Sequence, residues 1–499
     1  MDRSVAQGSV TDPAHDPDAD ERPAPRDGLL AVAGWLSVTV AVGLAILAFA
    51  IYLTTQADRF YDHFVWQAAA FLEGQAAIRY PVLAGPDGHG NYFFQDVLPV
   101  ITADGQSRAL IPFPPLPAVL LVPFVAIWGL RTDDQTIFTA LAAIDVAICW
   151  WMLGRLRVGT VARFATTVFF AFGTAFWYAA QNATTWYQAH IVAVALLLLA
   201  VGLAISVPDQ AREERSGPVI DRRAFAAGLL LGLATTARLT VILGFPFFVL
   251  VGPGSDWRRR GWSAAFGAAI PVGLLLAYNV VSTGQIFHPA YDHLYQLEAH
   301  AYTGLGYHPE WNAEDPRYVP QNAGIMLLEA PEILPDHLRD TLGTMDRPLC
   351  TEPGATRGLF DVACPLAVPR DLGMSVLLTS PAYLLGLAAV GLGRRRRLVA
   401  GAAIAILLIS IANLMHFSQG WVQFGYRFSN DVVPFALVLV ALGIDRLAGA
   451  AGREGPKATV EDQGRPSRRR WGMPLAMALI VASIAINLWG VVWSRLLGW

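Results

Sequence analysis

Eleven apolar stretches, most of them near twenty residues long and parted by short arginine-bearing loops, leave this chain few folds to choose from. They run Leu29–Leu53, Ile111–Leu130, Thr136–Leu153, Val161–Ala180, His190–Val207, Phe225–Val251, Trp262–Val281, Gly373–Leu392, Leu398–Phe417, Val432–Leu447 and Gly472–Trp493. A helix of about twenty apolar residues spans a bilayer core of roughly 30 Å. Only 15% of the 499 residues are charged, against about 25% in soluble domains. The expectation is an all-α polytopic membrane protein with about eleven transmembrane helices. Residues 1–27, polar and rich in Asp, Pro and Ala, read as a disordered cytoplasmic tail. Leu29–Leu53 is longer than a signal-peptide core and reads as a retained anchor. Residues 28–449 form the main transmembrane domain, 450–471 a cytoplasmic loop and 472–499 a last transmembrane helix.

Arginine placement orients the spans, because cytoplasmic loops are enriched in Lys and Arg. The basic groups are Arg155/Arg157/Arg163, Arg212/Arg215/Arg222/Arg223, Arg258–Arg260, Arg394–Arg397 and Arg468–Arg470. Simple alternation from a cytoplasmic N-terminus puts some of them outside. Two adjustments bring all of them inside. Ile111–Leu130, with prolines at 112, 114, 115 and 117, lies at the outer surface instead of crossing. Phe225–Val251 crosses twice, as a hairpin of short helices with Arg238 at its middle; a single tilted helix is the other reading. Broken backbone at membrane depth must be surrounded by protein or a cavity. The 55–110 loop, the 283–372 loop and Arg238 then all face outside, as juxtamembrane helices in the first outer loop would.

These outward features carry most of the candidate chemistry. Asp58 and Asp62 follow the first span at i and i+4, on one face if helical, and a carboxylate at an apolar boundary suits a general base. Two solvated acids are the plain alternative. Phe60-Tyr61, Trp66 and Phe71 mark an amphipathic helix in the interface. Asp96, after Tyr92-Phe93-Phe94-Gln95, suits a sugar platform or a buried carboxylate as well as a surface turn. Arg238 inside an apolar run is functional by default, its planar donors fitting a phosphate or carboxylate, unless a loop acid claims it. His190 opens a span from outside and can bind substrate or move a proton. Tyr426 and Arg427 precede Asp431; Arg427 and Asp431 can pair at i, i+4, or Arg427 can add a second cation for an anionic ligand.

The 283–372 loop holds five of the ten histidines (288, 293, 300, 308 and 337) without compact metal-ligand spacing. Tyr291, Asp292, Tyr295, Trp311, Glu314 and Asp315 there suit an acceptor groove. Cys350 and Cys364 share that loop and can form a disulfide if it is extracytoplasmic; two free thiols are the alternative. No P-loop, zinc motif or dinucleotide fingerprint is present, which argues against nucleotide chemistry and leaves no sign of a nucleic-acid partner.

In layout the chain resembles the membrane glycosyltransferases of the GT-C fold, such as the protein mannosyltransferase and aminoarabinose transferase groups. The likeness rests on Asp58/Asp62, the helix ending near Gly74, Pro114-Pro115-Leu116, the Gly-rich stretch Ala227-Gly228 through Ala237-Arg238, Tyr278-Asn279 and Gly425-Tyr426-Arg427 with Pro434. It spans about residues 29–447 and is diffuse, and Asp58-Arg59 and Asp62-His63 depart from the family's usual Asp-Glu pair. The resemblance implies a GT-C-like bundle in a bacterial plasma membrane with its active site facing outside. It implies transfer of a sugar from a polyprenyl-phosphate donor to a glycan, lipid or protein acceptor of the cell envelope, with inversion. Arg238 and Arg427 would hold the donor phosphate, and Asp58 or Asp62 would be the base. Asp96, His190 and Tyr426 would contact substrate. No cofactor is required, and a divalent metal is permitted. A lipid-linked sugar transporter and a non-catalytic scaffold for envelope assembly are the competing readings. The first calls for an inverted repeat and a polar path to the cytoplasm, neither of which stands out.

Overall fold

The computed structural model describes residues 25–57, 61–80, 96–102, 104–205, 220–252, 256–452 and 471–499. Asp58, the aromatic run before Asp96, most of the N-terminal tail and most of the 450–471 loop lie outside these residues.

The first helix, α1 (Pro25–Thr55), leads through α2 (His63–Leu72) into a three-stranded antiparallel sheet. Its strands are β1 (Ile78–Arg79), β2 (Leu98–Ile101) and β3 (Ser107–Leu110), in the order β1-β3-β2, with Ile78 opposite Ala109 and Leu98 opposite Leu110. After α3 (Leu116–Trp128) come α4 (Asp134–Arg155), α5 (Thr160–Phe172), α6 (Phe176–Asn182) and α7 (Thr185–Ala204). Then follow α8 (Arg222–Thr235), a 3-10 helix Leu239–Gly244, α9 (Phe245–Leu250) and α10 (Trp257–Thr283). A second large loop carries α11 (Ala290–Ala301), α12 (Val319–Leu328) and two small ladders. These pair β4 (Glu332–Ile333) with β7 (Ala367–Val368), and β5 (His337–Arg339) with β6 (Asp346–Pro348). The chain closes with α13 (Val376–Thr379), a 3-10 helix Pro381–Ala389, α14 (Arg396–Met415), α15 (Val433–Gly452) and α16 (Gly472–Leu497).

Among the described residues six helices are long and apolar enough to cross a membrane: α1 from Gly34, α4, α7, α10, α14 and α16. Shorter apolar helices among the described residues are Leu116–Arg131, Thr160–Phe172 and Leu239–Leu250. Arginines gather at one end. There Trp150 Nε1 donates to Ser37 O (3.0 Å), Gly159 N to Asp445 Oδ1 (2.8 Å), Arg395 to Leu156 O (2.7 Å) and Arg446 to Ala388 O (2.9 Å). At the opposite end Gln135 donates to Ala57 O (2.7 Å) and Asn182 O (2.9 Å), and Arg495 to Thr54 O (3.2 Å). α7 is the most enclosed of the six long helices, with 83% of its apolar window buried.

The 222–250 segment doubles back. Its start is held at the arginine-rich end by Asp221 N on Ser263 Oγ (2.9 Å), and its finish lies at the same end, where Arg260 donates to Val249 O (2.7 Å). Arg238 stands at the far turn in extended backbone (φ −139°, ψ 108°). The broken helix ends are satisfied internally, as lipid demands. Thr235 and Thr236 hydroxyls bond back to Leu231 O and Leu233 O, and Thr236 O accepts Leu116 N (3.1 Å). Glycine makes the arm fit. A Cβ at Gly228 would stand 2.0 Å from Ala264 O, and one at Gly267 2.1 Å from Phe225 O, so α8 and α10 meet backbone to backbone.

α3 lies across the end that bears the large loops. It begins beside Thr236 and is followed directly by the start of α4 at that same end. Leu120, Ile127 and Trp128 are exposed, which suits a helix at a lipid interface. The second large loop contains strands as well as helices, and Cys350 and Cys364 are bonded within it.

Candidate functional site

The end bearing Arg238 encloses two cavities, of about 750 Å³ and about 240 Å³. Apolar residues of α10 (Val272, Leu275, Leu276) and of the 3-10 helix (Leu239, Ile242) wall the larger one. Of these, Leu239 and Leu276 remain 44% and 37% exposed. Aromatic rings dominate the smaller cavity. Asp96, Trp186, Glu298, Ser418 and Arg427 line both, and so form the junction.

The floor of the larger cavity is a buried polar cluster centred on Asp431, which is 1% exposed. Its carboxylate accepts from Arg238 Nε (3.1 Å) and Nη2 (2.8 Å), Thr240 Oγ1 (3.1 Å) and Asn413 Nδ2 (3.1 Å), and contacts His190 Nδ1 (2.9 Å). Four side chains from three chain segments thus share one acid. Arg238 remains 20% exposed toward the cavity, and its Nη1 makes no hydrogen bond among the described residues. His190 Nε2 is likewise without a partner there.

The local alternative for Asp431, a pair with Arg427, does not form. Residues 427–431 are a 3-10 helix, not an α-helix, which separates the two side chains. Arg427 instead reaches the junction, its Nε unpartnered and no ion pair made among the described residues. It sits 5.2 Å from the Phe428 ring centroid and 6.0 Å from that of Tyr187. Gly420 lets it in. A Cβ there would stand 2.8 Å from Arg427 Cζ, and the φ of +94° disfavours any side chain.

Two acids flank this free cation. Asp96, 5% exposed at the start of the sheet, accepts Trp186 Nε1 at 2.7 Å. Burial pushes its carboxyl up to about 6, against the opposing pull of Trp186 and Arg427. Glu298, on α11, is pushed up to about 8 by burial and by the charge of Asp96, with Arg427 opposing. Near neutral pH the pair therefore differs, Asp96 ionised and Glu298 holding a proton. Elsewhere on the larger cavity Glu314 is held below its usual range by its contact with His416 (3.2 Å), against burial. Burial also lowers His288 to about 4 and raises Tyr291 to about 12.

Of the residues expected from sequence, Asp96, Arg238, His190 and Arg427 line the larger cavity, with Tyr291, Asp292 and Glu314. Tyr426 lines neither; its hydroxyl donates to Gln419 Oε1 (2.6 Å) inside the protein. Asp62 is also absent from both linings. It precedes α2 in non-helical geometry, and its carbonyl accepts Val65 N (2.9 Å) and Trp66 N (3.2 Å). Asp58 lies outside the described residues. Tyr295 is fully buried and Asp315 is engaged by Arg317 (2.7 Å). Glu298, Asn413, Thr240 and Gly420 were not signalled by sequence. Among the described residues no group of three or more His, Cys, Asp or Glu side chains is gathered as a metal site.

No protein-family model matches the chain, and no curated protein does. Among solved structures it is similar to ArnT from Cupriavidus metallidurans, crystallised with undecaprenyl phosphate bound. The match covers 93% of this chain and 77% of that one, at 13% identity and a TM-score of 0.49.

Proposed function

We propose that the chain is a membrane glycosyltransferase of GT-C type that moves a sugar from a polyprenyl-phosphate donor to a cell-envelope acceptor. The observation that carries this reading is the junction: Arg427, which makes no ion pair among the described residues, lines together with Asp96 and Glu298 the place where the larger, apolar-walled cavity meets the smaller one. The apolar wall of the larger cavity suits a prenyl chain arriving from the bilayer. Arg427, with Arg238 Nη1, suits the phosphate, since planar guanidinium donors match phosphate oxygens. The positive-inside rule supports a cytoplasmic arginine-rich end and cavities that face outside, in a bacterial plasma membrane under this reading.

The chemistry is a single displacement. Asp96 takes the proton from an acceptor hydroxyl, and that oxygen forms a bond to the anomeric carbon. The bond from that carbon to the phosphate oxygen breaks, and its electron pair leaves with the polyprenyl phosphate. Configuration at the anomeric carbon inverts. Arg427 stabilises the charge that builds on the departing phosphate. Glu298, protonated, donates a hydrogen bond at the junction. Asp62 and Asp58 are the other candidates for the base.

The test gives purified wild type, Arg427→Ala and Asp96→Asn a panel of radiolabelled polyprenyl-phosphate sugars and a cell-envelope acceptor extract. The expected result is label transfer by wild type, a loss of roughly 10²–10⁴-fold in Asp96→Asn with donor lipid still bound, and weakened donor binding in Arg427→Ala. Wild-type protein that binds the lipids but transfers from none of them would favour a transporter and sink the proposal.

A further inference from the structure

The smaller cavity has a construction of its own. Rings from separate parts of the chain face it: Tyr61 before α2, Trp186 and Tyr187 on α7, Tyr302 and Tyr307 beyond α11, and Trp421 in the turn after α14. The polar tips of three of them are engaged in the surrounding protein. Trp186 Nε1 donates to Asp96 Oδ2 (2.7 Å), Tyr307 OH to Ser418 Oγ (2.9 Å) and Trp421 Nε1 to Asp371 Oδ2 (3.3 Å). Edge and tilted contacts, Tyr61 with Trp186 (4.9 Å) and Tyr302 with Trp421 (5.9 Å), brace the rings against one another. What Trp186, Tyr307 and Trp421 offer a ligand is carbon surface in fixed orientation. At the floor Asp96 supplies acceptors, while Arg427 and the protonated Glu298 supply donors.

A ligand for this space must present an apolar face to rings and hydroxyls to a polar floor. A sugar ring does both, with C–H bonds on its faces and hydroxyls around its edge. A prenyl chain fits poorly, since it would leave the floor unsatisfied. An extended peptide brings a backbone donor and acceptor with every residue, which ring carbons cannot satisfy. At about 240 Å³ the space lies below the roughly 300–1,000 Å³ of sites for drug-sized ligands, which suits one sugar unit. We propose that the smaller cavity is a saccharide subsite that seats the terminal sugar of a glycan acceptor, its reacting hydroxyl toward Asp96. The identity of the sugar as acceptor rests on the transferase reading; the binding of a saccharide does not.

Two measurements separate the claims. Binding of soluble oligosaccharides, and of a Ser/Thr-containing peptide as control, is followed by saturation-transfer NMR on the full chain in nanodiscs. Transfer from the polyprenyl-phosphate donor is then measured with the same compounds as acceptors. The expected result is saccharide binding that weakens about tenfold in Trp421→Ala, with Trp421→Phe close to wild type. Acceptor KM rises by a similar factor while the donor KM holds. Saccharide binding of this pattern without any transfer upholds the subsite and rejects the transferase. Transfer to the peptide with no competition by saccharides rejects the subsite and keeps the transferase. Saccharide binding that Trp421→Ala and Tyr302→Ala both leave within twofold also rejects it, since the rings would then not be the platform.

Discussion

Replacing Asp431 by alanine tests whether the turn at Arg238 is held by charge. In the folded chain this acid is the one partner of the Arg238 guanidinium among the described residues, and it also anchors Thr240, Asn413 and His190. Removing one member of a buried ion pair costs about 3–5 kcal/mol, because the other charge stays behind unpaired. Arg238 is 20% exposed toward a cavity, so water there softens the penalty, and the lower end, about 3 kcal/mol, is the better figure for the charge alone. The stranded Thr240 hydroxyl adds about 1 kcal/mol or more, while Asn413 Nδ2 keeps Phe428 O as an acceptor at 3.4 Å. Asp431→Ala should therefore lose about 4–5 kcal/mol, roughly three decades in the unfolding equilibrium. The decisive companion is Arg238→Met with Asp431→Leu. It removes both charges and keeps bulk, so it should recover at least about 2 kcal/mol relative to Asp431→Ala. The assay is equilibrium unfolding in mixed SDS micelles, followed by far-UV circular dichroism. Asp431→Ala within about 1 kcal/mol of wild type, or a double variant no better than the single, would refute the charge argument.

Asp96→Asn should stabilise the protein in a pH-dependent way. The folded carboxyl is raised to about 6, above its unfolded value, so wild type loses stability as pH rises from about 4 to 6 while the Asn variant does not. A raise of about two units is worth up to roughly 3 kcal/mol; the gain should show in melts at pH 7.5 and vanish by pH 4, and equal melting at both would count against a buried Asp96. For the same reason transfer by wild type should climb through pH 6, and an acid limb near 4 in the rate profile would dismiss Asp96 as the base. Gly228→Ala puts a methyl 2.0 Å from Ala264 O and should cost about 1–3 kcal/mol by overpacking, read in the same unfolding assay, whereas Gly34→Ala, which meets nothing within 4 Å, should cost under about 0.5 kcal/mol. Cys350 and Cys364 should resist a thiol-reactive maleimide on intact cells until a reductant is added, and labelling without reduction would count against the disulfide.

The parts of this fold that sequence discloses are those governed by local rules. Apolar length marks the passes, and an arginine within an apolar run marks the hairpin turn, because a charge at that depth must lie where protein or water can receive it. Prolines at 112, 114, 115 and 117 mark the helix that stays at one end. The site is only partly visible. Asp96, Arg238, His190 and Arg427 stand out as polar residues beside apolar runs. Their partners do not, because Asp431 meets Arg238 across 193 residues and His190 across 241. The i, i+4 rule points Asp431 at Arg427 instead, and it fails because the intervening turn is 3-10. Glu298 carries no local mark at all; what makes it unusual is burial beside Asp96, which only the folded loops supply. Asp62 is conspicuous in sequence for the opposite reason, since nearness to the first span says nothing about which way the following turn faces.

The doubled-back 222–250 segment also matters before the protein is finished. Its 27 apolar-side residues, Phe225–Val251, are long enough to enter the bilayer as one straight helix, and that outcome would invert every later loop. Nothing in its own composition forbids this except one arginine. What commits it to two passes arrives later in synthesis: the backbone-close face of α10, and then Asp431, nearly two hundred residues downstream. The ribosome has emitted most of the chain before the latch exists. Variants that slow the docking of α10 or remove Asp431 should therefore accumulate as inverted, protease-susceptible chains even where their mature fold could tolerate the change.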